Sequence, residues 1–63
     1  MQRVVWAKGE FELIENSIDE KPVYFFEHIH TGLLTKTFKS YDAAITAKDE
    51  GKLKFIQRNR GEL

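Results

Sequence analysis

Apolar and polar positions along the chain change their spacing several times, and each change marks an expected element. Gln2 to Ala7, with Val4, Val5 and Trp6 at its centre, predicts a short strand. Gly9 permits a turn or bulge, after which Glu10-Phe11-Glu12-Leu13 alternates polar with apolar, predicting a half-buried strand as far as Glu15. Asn16 to Pro22 carries Asn, Ser, Asp and Pro and predicts a turn region. Val23 to His30 is β-branched or aromatic almost throughout and is the strongest strand signal in the chain. Thr31-Gly32 interrupts it, and Leu33 to Phe38 follows as the expected hairpin partner.

The spacing then turns helical. Ser40 suits an N-cap, because its hydroxyl can accept from an amide that the first turn leaves unpaired. Asp42 suits the positive end of the helix dipole, three alanines favour helix, and Gly51 fits the left-handed position that ends one. Tyr41, Ala44, Ile45 and the stem of Lys48 share a face of this helix, expected over Tyr41 to Glu50, so it can lie on the sheet. Leu53 to Gln57 predicts a last strand, with Asn59-Arg60-Gly61 turning the chain at its end. The alternative is a helix running through Gly51 to about Gln57, at about 1 kcal/mol for Gly against Ala.

The expected fold is therefore α+β: a small antiparallel sheet of three or four strands with one helix packed on one face, forming a single domain over residues 1–63. Phe25, Phe38, Leu34, Ile45, Leu13 and Phe55 are the expected core. Register decides which side chains reach solvent. With His30 opposite Leu33, Glu27 meets Lys36 and Phe25 meets Phe38, and one face carries Val23, Phe25, Ile29 and Leu34. The other face carries Tyr24, Phe26, His28, His30, Leu33, Thr35 and Thr37. A slip by one residue pairs Tyr24 with Phe38 and Phe26 with Lys36 instead. Either way the hairpin is apolar on both faces. The helix covers one, and the other is an interface, a binding surface, or covered by the N-terminal segment.

Composition sets limits on function. The chain has 63 residues, of which 41% are hydrophobic and 32% charged, and its ten Lys and Arg balance ten Asp and Glu. So short a chain buries only about 60% of the surface its unfolded form exposes, leaving little room for an enclosed catalytic pocket. It has no cysteine, which excludes disulfides, zinc-thiolate sites and thiol nucleophiles within this sequence. The longest apolar runs, such as Val23 to Phe26, fall far short of the roughly twenty residues of a membrane helix. The first ten residues meet charge too early for a signal peptide, so the expected location is cytoplasmic. The balance of charge is not local: residues 1–31 carry a net −3 and residues 32–63 a net +3. The positive half either meets the negative half within the fold or faces an anionic partner.

The aromatic strand, the Thr31-Gly32 hairpin and Thr37-Phe38-x-Ser40 running into a helix with Ala44-Ile45 resemble the sheet-plus-helix DNA-binding domains of phage integrase arms and plant ethylene-response factors. The resemblance implies that Phe38 anchors the sheet to the helix and that the strands present their side chains to the major groove. Where those families carry arginines, this chain offers Glu27, His28 and His30, with Lys36 and Lys39 on the next strand. Continued through Gly51, Leu53, Gly61 and Leu63, the chain is also similar to short uncharacterised bacterial proteins with a strands-helix-strand layout, a likeness that implies no function.

Catalysis has no motif to rest on: there is no Gly-rich phosphate loop or nucleophile elbow, and Ser17 and Ser40 are explained by a turn and a cap. No enzymatic activity and no cofactor are expected. His28 and His30, two apart on a strand, would point the same way, but a metal site needs a third or fourth ligand that the pattern does not supply, and none is expected. The expected function is a binding module, regulatory or accessory, that contacts a protein partner or a second copy through Trp6, Tyr24, Phe26, His28 and His30. The alternative is a nucleic-acid-binding module that uses Lys36, Lys39, Lys54, Arg58 and Arg60, with Lys52 beside them and Tyr24, Phe26 and Phe55 for stacking. A pI near 6.7 stands below the values above about 9 usual for dedicated binders.

Overall fold

The structure is a computed structural model and describes residues 2–56. Three strands, β1 (Gln2–Lys8), β2 (Phe11–Ile18) and β3 (Lys21–His28), form an antiparallel sheet in the order β1-β2-β3, followed by one helix, α1 (Tyr41–Asp49). This is the expected α+β layout. No described helix is long and apolar enough to cross a membrane.

Both strand connections are two-residue turns. Gly9 takes φ +68°, which a glycine adopts at little steric cost, and lets Lys8 pair with Phe11. The second turn corrects the loop expected over Asn16 to Pro22. Here Ile18 pairs with Lys21, and Asp19 and Glu20 span the turn at φ +53° and +65°. Two successive positive φ values mark the turn whose twist matches a hairpin, reached without the usual Asn-Gly. Pro22 sits inside β3 because its missing N–H falls on the outer side of that strand. The N–H groups of Tyr24 and His28, on the same side, donate across to Phe38 and Leu33 at 2.9 Å each.

The register between β1 and β2 shifts between Val4 and Trp6, a bulge at Val5. Cross-strand pairing puts Trp6, Leu13 and Phe26 on one face and Val4, Ile14 and Phe25 on the other.

The hairpin after β3 differs from the expected one. β3 ends at His28, and Ile29 to Gly32 form a four-residue loop in place of a Thr31-Gly32 turn. Residues 33–38 run beside β3 as an irregular segment, with isolated bridges at Glu27–Leu34 and Tyr24–Phe38. The expected facing of Phe25 with Phe38 is replaced by the slipped pairing of Tyr24 with Phe38. Thr35 explains why no regular strand forms. Its hydroxyl accepts from the Phe26 N–H at 3.0 Å, standing where a ladder carbonyl would stand, and donates to the Lys36 carbonyl at 2.8 Å.

The slip also reverses the faces. Helix α1 lies on the side of Leu13 and Phe26: these two and Ala44 have no exposed surface, and Trp6, Phe11, Tyr24, Phe38, Ile45, Leu53 and Phe55 pack around them. Phe26, expected at the surface, is thus central to the core, and Phe38, Ile45 and Phe55 are at its partly buried edge. Ile14, Phe25 and Leu34 form a second buried group. Ser40 caps α1 as expected, its Oγ accepting from the Ala43 N–H at 3.0 Å. The helix stops at Asp49, and Gly51 follows at φ +71°, so the longer helix does not form. Residues 52–56 are not a strand, and Gln57 and the expected turn over Asn59-Arg60-Gly61 lie outside the described residues.

Candidate anion-binding site

The end of α1 delivers the chain to a cavity at the surface. The Gly51 N–H donates to the Lys48 carbonyl at 3.0 Å and the Lys52 N–H to the Ala47 carbonyl at 2.9 Å, the paired bonds of a Schellman motif. The chain leaves this turn extended, and the Ile56 N–H donates to the Leu34 carbonyl at 3.1 Å. Residues 52–56 therefore run beside residues 34–38. Alternate side chains separate: Leu53 and Phe55 pack on the core, whereas Lys52, Lys54 and Ile56 line a cavity of about 170 Å³ together with Thr35, Lys36 and Phe38.

Three lysines thus line one cavity together with Phe38 and Ile56. Lys52 Nζ lies 3.0 Å from Glu50 Oε1, but both side chains are more than half exposed, so solvent screens the pair. Lys36 and Lys54 have no ion-pair partner among the described residues. Of the basic residues expected to bind nucleic acid, Lys36 and Lys54 converge here with Lys52. Lys39 is exposed and does not line the cavity, and Arg58 and Arg60 lie outside the described residues. These lysines stand out in the sequence as basic residues, whereas nothing in the sequence marks Phe38 and Ile56 as their apolar companions.

The residues expected to form a partner surface occupy different environments. Phe26 is fully buried and Trp6 half-buried, its ring 6.0 Å from that of Phe26 at 87°, with Lys48 Nζ 4.9 Å over the indole. Tyr24 is half-buried, and its hydroxyl donates to Glu15 Oε2 at 2.7 Å while Arg3 Nε donates to Oε1 at 2.8 Å. The Tyr24 hydrogen bond and then the Arg3 contact hold the Glu15 carboxyl below its usual range, and donating that bond raises the Tyr24 hydroxyl above its own.

His28 and His30 do not share a strand, since His30 belongs to the exposed loop, yet their rings are 5.9 Å apart. His28 Nε2 is 3.3 Å from Glu10 Oε1, and Nδ1 is buried with no hydrogen-bond partner among the described residues. Among the described residues no group of three or more His, Cys, Asp or Glu is placed to hold a metal ion.

The sheet face opposite α1 places Glu12 directly across from Glu27, with Ile14 and Phe25 beside them. Its negative pair repels phosphate, so the positive cavity, not the sheet face, is the surface suited to an anion. Comparisons with protein-family models, curated proteins and solved structures find no match to this chain.

Proposed function

We propose that this chain is a non-enzymatic binding module, regulatory or accessory in role, that holds an anionic partner at the cavity formed by Lys36, Lys52 and Lys54. The observation that carries this reading is the convergence of three lysines from two segments, two of them without a counter-charge among the described residues. Three phosphate contacts on a single-stranded polyanion give log K a slope of about −2 against log salt concentration. Retention on heparin with elution by moderate salt is the expected result, and Lys36→Gln with Lys54→Gln should shift elution to clearly lower salt while leaving the circular dichroism unchanged. Elution of parent and variant together would end the reading.

Association with a protein partner or a second copy is the second reading. It draws on Val4 and Ile29, each 51% exposed, in place of the buried Phe26. Sedimentation of parent and Val4→Asp tests it: a dimer that the substitution leaves intact would remove Val4 from any such contact.

A further inference from the structure

The cavity contains more than charge. Half-buried Phe38 and exposed Ile56 contribute apolar surface alongside the lysines, with Thr35 buried beneath them. A site for bare phosphate needs donors and charge alone, whereas an aromatic ring beside the lysines adds affinity for a flat, weakly polar group. The volume, about 170 Å³, is below the roughly 300–1,000 Å³ of sites that enclose drug-sized ligands, and suits a single ring system. A flat ring attached to a phosphodiester is a nucleotide within a strand.

We infer that the anionic partner is single-stranded nucleic acid, with one unpaired base entering the recess against Phe38 while Lys36, Lys52 and Lys54 hold the flanking phosphates. This rests on the anion-binding reading above and specifies its ligand. A duplex keeps its bases stacked inside and cannot fill such a recess without unpairing, and the described sheet face that could lie in a groove carries Glu12 and Glu27. Base stacking on an aromatic side chain tolerates any sequence, so little discrimination among bases is expected.

The test compares fluorescently labelled oligothymidylate with an abasic oligomer of the same length and with duplex DNA, by anisotropy at low salt. The abasic strand keeps every phosphate and lacks only the bases. Oligothymidylate should bind about five- to tenfold more tightly than the abasic strand. Phe38→Leu, which retains an apolar core side chain, should remove that preference and leave abasic binding unchanged. Equal, salt-dependent binding of oligothymidylate and abasic strand would overturn base insertion while leaving the anion-binding reading standing. Binding of duplex as tight as oligothymidylate would likewise overturn it. No binding of any of the three, with no heparin retention, would remove both.

Discussion

Thr35 gives the sharpest test of how the chain holds together. Thr35→Val keeps the shape of the side chain and deletes its hydroxyl. The Phe26 N–H, which donates to that hydroxyl at 3.0 Å, then loses its acceptor beside a fully buried ring. An orphaned buried donor costs about 1–3 kcal/mol. The Lys36 carbonyl also loses a donor, at 2.8 Å, but Lys36 is exposed and water replaces it. A methyl in place of the hydroxyl returns somewhat under 1 kcal/mol of apolar transfer, so the net loss is about 1–2 kcal/mol. A domain of this length is stable by only about 3–9 kcal/mol, and each kcal/mol lowers its melting temperature by about 4–8 °C. Urea denaturation measures the loss, and amide hydrogen exchange at Phe26 locates it. In Thr35→Ser the hydroxyl remains, so Phe26 should stay protected even though a methyl is gone. A Thr35→Val protein as stable as the parent, with Phe26 equally protected, would refute the role given to the hydroxyl.

The remaining expectations concern charge and turns. Glu15 titrates below its usual range when folded, so its stabilisation is complete above the unfolded carboxyl's titration and is lost as pH falls through the folded value. Tyr24→Phe should move the Glu15 titration, followed by NMR, up towards the ordinary range, and the stability gap between parent and variant should close in acid; an unmoved titration would assign the effect to Arg3. Glu12 faces Glu27 across the sheet, so Glu12→Thr should raise stability in urea by about 0.2–1 kcal/mol, and a loss would show that the pair is not repulsive. Glu20 occupies a left-handed conformation at φ +65°, which costs a non-glycine residue about 1–2 kcal/mol. Glu20→Gly should therefore raise the melting temperature, less the entropy that glycine adds to the unfolded chain, and a drop would contradict the turn geometry.

What the sequence made legible was local. Ser40, Asp42 and Gly51 act within one turn of their own positions, so the helix and its two ends could be read directly. The turn at Asp19-Glu20 could not, because neither residue is the glycine or asparagine that announces positive φ. The covered face of β3 was not decidable from pattern, since Val23 and Phe25 are as apolar as Tyr24 and Phe26 on the reverse. A side-chain hydroxyl, invisible to periodicity, then made residues 33–38 irregular. Lys36 and Lys54 were recognisable as basic, but their meeting depends on the Schellman turn and the Ile56–Leu34 contact, which bring together residues 18 positions apart.

The meander of three neighbouring strands has a consequence for the route to this structure. Every pairing within the sheet joins residues no more than 17 positions apart, so the loops to be closed are short and the entropy of closing them small. Two tight hairpins can each zip outward from their turns within about 1–10 μs. The lysine cavity is assembled differently, since it exists only once residues 52–56 have docked against residues 34–38. On this route the cavity should form after the hairpins and be lost early on partial opening. Hydrogen exchange at Ile56 should accordingly outrun exchange in β2, and a ligand that fills the cavity should slow the former far more than the latter.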